Sequence, residues 1–167
     1  AARFTGWYQC SPSDIGIHTQ NVLKLISNGA TWQEAAQKVQ TQKPDSAANG
    51  SLMRCWPVAV ARWDSPALLV AESRLQSEVT HPHPDCLNAC VLINLILSDL
   101  VHRQPGSPPD AAMRQALASA VEQVDLGDDF RLMVDLAPVR ARENLKNTGW
   151  VRHTVESALW AVLTTRS

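Results

Sequence analysis

The chain has 167 residues, 45% hydrophobic and 19% charged, with fifteen Lys and Arg against sixteen Asp and Glu for a net charge of −1. A chain this long buries roughly 70% of its unfolded surface on folding, so one compact domain over residues 1–167 is expected. The balance is unlike a disordered segment, and with no long basic block it argues against a nucleic-acid partner.

The opening residues, Ala1 to Trp7, carry no signal-like apolar run, which makes a cytoplasmic protein the expectation. Ile15, Val22, Leu23, Leu25 and Ile26 recur at helical spacing over 14–27, with Ser13 or Asp14 placed to cap and Asn28-Gly29 to stop. Thr31 with Glu34 three residues on reads as a capping box for a short helix through Val39. Asn49-Gly50-Ser51 opens a helix through about Arg62, with Pro57 in its early turns. Ser65-Pro66 starts the next, which runs to Thr80. Residues 85–102 are apolar nearly all round yet broken by Asn88, Asn94, Ser98 and Asp99. That pattern suits a central buried helix and not a membrane span. Gln104 to Pro109 is the clearest loop, and helices over 110–124, 128–136 and 150–163 complete the series. With no strand pattern and no repeat, the expected fold is all-α, eight or nine helices in one bundle.

Cys10, Cys55, Cys86 and Cys90 are too few and wrongly spaced for a disulfide framework, and read as small buried hydrophobes. The six tryptophans, scattered along the chain, read mostly as core residues with the indole N–H bonded at a helix end. His81, His83, Cys86 and Cys90 present four zinc-competent side chains within ten residues. Their spacing matches no common zinc module, however, and two lie on proline-fixed backbone.

Three stretches in order carry a resemblance. Ser11-Pro12-Ser13-Asp14-Ile15-Gly16-Ile17-His18-Thr19, Ser46-Ala47-Ala48-Asn49-Gly50-Ser51-Leu52-Met53-Arg54 and Thr80-His81-Pro82 resemble motifs of the ADP-ribosylglycohydrolase family. The tail from Thr148-Gly149-Trp150 to Trp160 resembles the helix before that family's last acidic motif. The resemblance implies an all-helical bundle, ADP-ribose or an ADP-ribosylated protein as partner, and metal-assisted hydrolysis of the ADP-ribose–acceptor bond. It also implies two magnesium or manganese ions in complete members, held by an acidic cluster near each end. This chain contains no Asp-x-Asp, and its adjacent acidic pair, Asp128-Asp129, fits neither cluster. It reads as the central portion of such a protein, truncated at both ends, with no metal ligands of its own expected.

Asn49, Gly50 and Ser51 are placed to cradle the diphosphate at a helix N-terminus, or else merely cap that helix. Ala48 stands where the family usually has glycine. Asp14, the catalytic candidate, would orient a water or bind a ribose hydroxyl, and suits a helix cap equally well. Ile17 replaces a frequent asparagine; His18, four residues after Asp14 and on the same side, either offsets that lost polar contact or reads as an exposed or capping histidine. His81 would donate to a phosphate, Arg54 would support the loop or meet a phosphate, and Met53 reads as core. Arg140, Arg142, Glu143 and Lys146 read as a solvated loop. Uncovered helix faces lead to an expected homo-oligomer. The alternative to a hydrolase is a catalytically silent helical domain that self-associates and binds nucleotide weakly.

Overall fold

The computed structural model describes residues 1–103 and 108–165. Among them nine α-helices follow one another: α1 (Ala2–Gln9), α2 (Ile17–Ser27), α3 (Trp32–Gln42), α4 (Pro57–Ala61), α5 (Pro66–Glu78), α6 (Pro84–His102), α7 (Pro109–Val121), α8 (Asp128–Leu136) and α9 (Val151–Thr164). No strand occurs among the described residues; one antiparallel bridge joins Ala48 to Trp150. The fold is all-α, as read from the periodicities.

Local chemistry explains most boundaries. Proline opens α4, α5, α6 and α7, where its missing N–H would have lacked a partner in any case. The Thr31 hydroxyl accepts from the Glu34 N–H, and Glu34 returns a bond to the Thr31 backbone, so the capping box at α3 is real. Gly29, with φ of 98°, takes the left-handed position just past α2.

Packing centres on α6, which contacts α4, α5, α7 and α9. Cys86, Ala89, Val91, Leu92 and Ile96 of α6 join Phe130 and Val134 of α8 and Val151, Val155 and Leu159 of α9 in the main core. Length and composition would let α6 cross a membrane, but its packing against four neighbours makes it the core helix of the bundle. A smaller core of Val22, Ala35, Ala36 and Val39 joins α2 to α3.

Several expectations need correction. Helix α1 carried no cap signal and buries no residue, so its sequence gave no periodic pattern. Helix α2 begins at Ile17 with Gly16 as its cap, which leaves Asp14 outside the helix. The helix expected over 49–62 is a 3₁₀ turn, Leu52–Arg54, followed by the five residues of α4. Asn49-Gly50-Ser51 therefore does not head a long helix with a strong dipole. Met53 is 67% exposed and not core. Trp7, Trp56 and Trp63 are exposed, and the expected indole bond is made by Trp160, which donates to the Arg140 carbonyl. Arg140 itself pairs at 2.8 Å with the buried carboxylate of Glu156, so that part of the charged stretch is structural. Of the loop expected at 104–109, residues 104–107 lie outside the described residues.

Candidate functional site

A cavity of about 830 Å³ opens between α1, the start of α2, the 42–54 segment and the end of α5. That is the size of a nucleotide-scale ligand pocket. Asp14, Asn49, Gly50, Arg54 and His81 all line it, although the last is 67 residues from the first. Ser51 does not. Its hydroxyl is fully buried beneath the loop, where it accepts from Ser77 Oγ at 2.8 Å and lies 3.7 Å from the Cys90 thiol. Ser51 thus pins the loop to α5 and α6.

The loop is held from both sides. The Asn49 N–H donates to the Gly149 carbonyl, and the Val151 N–H donates to the Ala47 carbonyl. Asn49 Nδ2 donates to Thr154 Oγ1 at 2.9 Å, which leaves Oδ1 without a partner among the described residues. The Cys86 thiol donates to the Ala48 carbonyl. Between these anchors the N–H groups of Gly50 and Ser51 meet no acceptor among the described residues. Of the two, Gly50 lines the cavity, so a free backbone donor is supplied by a braced loop instead of by a helix N-terminus.

Arg54 lies beside the loop. Its Nη2 donates to the Gln76 carbonyl at 2.8 Å and to Thr80 Oγ1 at 2.7 Å, and the guanidinium sits 4.6 Å from the Phe4 ring centre. It has no carboxylate partner among the described residues, and its buried Nε has no hydrogen-bond partner. Burial presses its pKa down, although an arginine keeps its charge across the accessible range. Arg3 and Lys43 also line the cavity, against Asp14 as its one carboxylate.

His81, 1% exposed, forms part of the wall. Its Nδ1 lies 2.7 Å from Thr80 Oγ1, and its ring stacks on His18 with centroids 4.6 Å apart. Burial first, then the neighbouring His18 and Arg54, push its pKa down to about 3, so the ring is neutral at ordinary pH. His18 is neither exposed nor a cap. Its Nε2 donates to the Thr80 carbonyl at 2.8 Å, and burial lowers its pKa as well.

Asp14 and Ile17 stand at the rim, Ile17 with 72% of its surface exposed. The zinc alternative finds no support in the geometry. His83 turns its Nδ1 to the Asp85 N–H as the cap of α6, and no group of three metal-binding side chains converges among the described residues. Sequence reasoning missed Thr80, Thr154 and the α1 side chains Arg3, Phe4 and Trp7. Thr80 and Thr154 lay inside the quoted motifs; α1 offered no signal.

The chain matches the ADP-ribosylglycohydrolase family over residues 1–167. It is 31% identical over 153 residues to ADP-ribosylarginine hydrolase Tri1 of Pseudomonas putida (strain GB-1), covering 89% of this chain and 37% of that protein. It is 26% identical over 153 residues to the protein of the same name from Serratia proteamaculans (strain 568), covering 91% of this chain and 38% of the relative. To ADP-ribosyl-[dinitrogen reductase] glycohydrolase of Rhodospirillum rubrum it is 29% identical over 121 residues, 72% of this chain and 37% of the relative. The chain thus spans less than two fifths of the length of these relatives. No solved structure gives a significant match. By the match along its whole length, this chain belongs to the ADP-ribosylglycohydrolase family.

Proposed function

We propose that this chain supplies the nucleotide-binding part of an enzyme that hydrolyses the glycosidic bond between ADP-ribose and an acceptor side chain of a modified protein. The observation that carries the reading is Arg54, a largely buried guanidinium in the wall of an 830 Å³ cavity with no carboxylate to neutralise it. A largely buried cation whose partners among the described residues are a carbonyl, a hydroxyl and an aromatic ring favours an anionic ligand, and a diphosphate answers it. Gly50 lets the backbone approach that diphosphate closely and offers its unpaired N–H. His81 adds a neutral donor, and the unpartnered Oδ1 of Asn49 accepts from a ribose hydroxyl. Asp14, on the rim, orients a ribose hydroxyl or the attacking water.

Magnesium or manganese is the proposed cofactor of the whole enzyme, where it would polarise a ribose hydroxyl or a bound water. The described residues do not fit a two-cation cage. Each such ion takes about six oxygen ligands, and the cavity wall offers the carboxylate of Asp14 alone.

Titration calorimetry with ADP-ribose, with and without magnesium, tests the reading. Binding in the absence of magnesium, weakened at least tenfold by Arg54→Ala, is expected. No ADP-ribose binding under either condition would sink it.

A second reading, a non-catalytic helical domain that pairs with another copy, draws on exposed apolar side chains along α4 and α5, namely Val60, Leu68 and Leu75, with Trp56 and Trp63 beside them. Sedimentation velocity decides it, and a single monomeric species would count against self-association.

A further inference from the structure

We propose that Thr80 is a positioning residue that locks the His81 ring as the tautomer carrying its hydrogen on Nε2, the edge that faces Gly50. Thr80 is fully buried in the turn just past α5 and meets three neighbours through two oxygens. Its Oγ1 accepts from Arg54 Nη2 at 2.7 Å and lies 2.7 Å from His81 Nδ1, while its carbonyl accepts from His18 Nε2 at 2.8 Å.

The protons can be assigned by counting. A guanidinium only donates, so Thr80 Oγ1 is the acceptor toward Arg54. The hydroxyl has one hydrogen, and among the described residues His81 Nδ1 is the acceptor within its reach. Nδ1 therefore accepts, and the ring hydrogen sits on Nε2. An imidazolium would set a second donor against Oγ1 and strand the hydroxyl hydrogen in a buried site, at the cost of an unmade bond. His18 is fixed by the same logic, since the carbonyl it meets can only accept, so its hydrogen is also on Nε2. Two stacked rings 4.6 Å apart, His81 near Arg54 and His18 near Lys43, disfavour a positive charge on either. The ionisable groups facing His81 are His18 from α2 and Arg54 from the 3₁₀ turn, and both act against its protonation.

The consequence concerns the ligand. On Gly50 a β-carbon would lie 3.0 Å from His81 Nε2, so the N–H edge abuts the residue whose own N–H meets no acceptor among the described residues. Thr80 thereby gives the cavity wall a neutral donor that does not switch off or on between pH 5 and pH 8. Its use in binding rests on the ADP-ribose reading above; the tautomer does not.

The test is a long-range ¹H–¹⁵N spectrum of the histidine-labelled chain, recorded without ligand from pH 5 to pH 8. His81 is expected to show a protonated Nε2 and a bare Nδ1 throughout. Thr80→Val should lose the single tautomer and Thr80→Ser should keep it. A wild-type His81 protonated on Nδ1, or titrating as imidazolium near pH 6.5, overturns the proposal, as does an unchanged Thr80→Val spectrum. Should Thr80→Val fail to fold, the wild-type and Thr80→Ser spectra still decide. In calorimetry, Thr80→Val should weaken ADP-ribose about tenfold and Thr80→Ser less than about threefold. Unchanged affinity in Thr80→Val overturns the positioning role. Absence of ADP-ribose binding to the wild-type chain sinks the functional reading and leaves the tautomer result standing.

Discussion

A β-carbon on Gly50 would sit 2.9 Å from Cε1 and 3.0 Å from Nε2 of His81, so the loop and the histidine touch with no space for a side chain between them. His81 cannot easily withdraw, because Thr80 holds its Nδ1 and His18 covers its face. Thr19 Oγ1, at 3.2 Å, crowds the same point. Gly50→Ala is therefore expected to destabilise the chain by about 1–3 kcal/mol through overpacking, read in urea denaturation, and to weaken ADP-ribose binding. Wild-type stability in this variant would mean the contact is slack.

Acid should weaken the fold through His81. Its pKa is about 3 in the folded chain against an ordinary 6.5, so the unfolded chain binds the proton more readily between those values. Stability then rises with pH across that window and is lost as pH falls below 6.5. From pH 7 to pH 5 the expected loss from this residue is about 2 kcal/mol, with His18 acting in the same direction. Denaturation midpoints at the two pH values check it, and His81→Gln should flatten the slope.

The ion pair between α6 and α9 should matter far more than those on the surface. Arg152 meets both oxygens of Asp85, at 2.6 and 2.9 Å, and its guanidinium lies over the rings of Phe130 and Trp150. Asp85→Asn leaves a mostly buried cation half-paired and is expected to cost about 3 kcal/mol. Asp135→Asn, which removes the exposed i,i+4 partner of Arg131, should leave the unfolding curve unmoved.

Asn49 and Thr154 are coupled across the bundle. Either Asn49→Ala or Thr154→Val removes the 2.9 Å bond that ties the cavity loop to α9, at about 1 kcal/mol each. Because both act through one bond, the double variant should cost less than the sum, and a double-mutant cycle measures the shortfall. Additive effects would mean the bond does not hold the loop.

Helices α2, α3 and α5 to α9 could be read along the chain because their signals are short-ranged. A proline at the first position, the Thr31–Glu34 box and apolar spacing all operate within a turn or two. Helix α1 escaped because it buries nothing, and periodicity needs a buried face to become visible. The 49–62 segment was misread for a related reason, since apolar spacing alone does not say that the chain breaks after Arg54 before resuming at Pro57.

The site divides along the same line. Asp14, Asn49, Gly50, Arg54 and His81 were recognisable as motif residues, and the folded chain gathers them around one cavity. Composition and motif order were enough for the helical class and the family. That Ser51 braces the loop from below, that His18 lies flat against His81, and that Thr80 joins both to Arg54 depended on contacts between residues 26 to 63 positions apart. Whether a side chain faces ligand or core, and whether an imidazole carries charge, follows from the dielectric and partners that every neighbouring helix creates together. No stretch of chain holds that information alone.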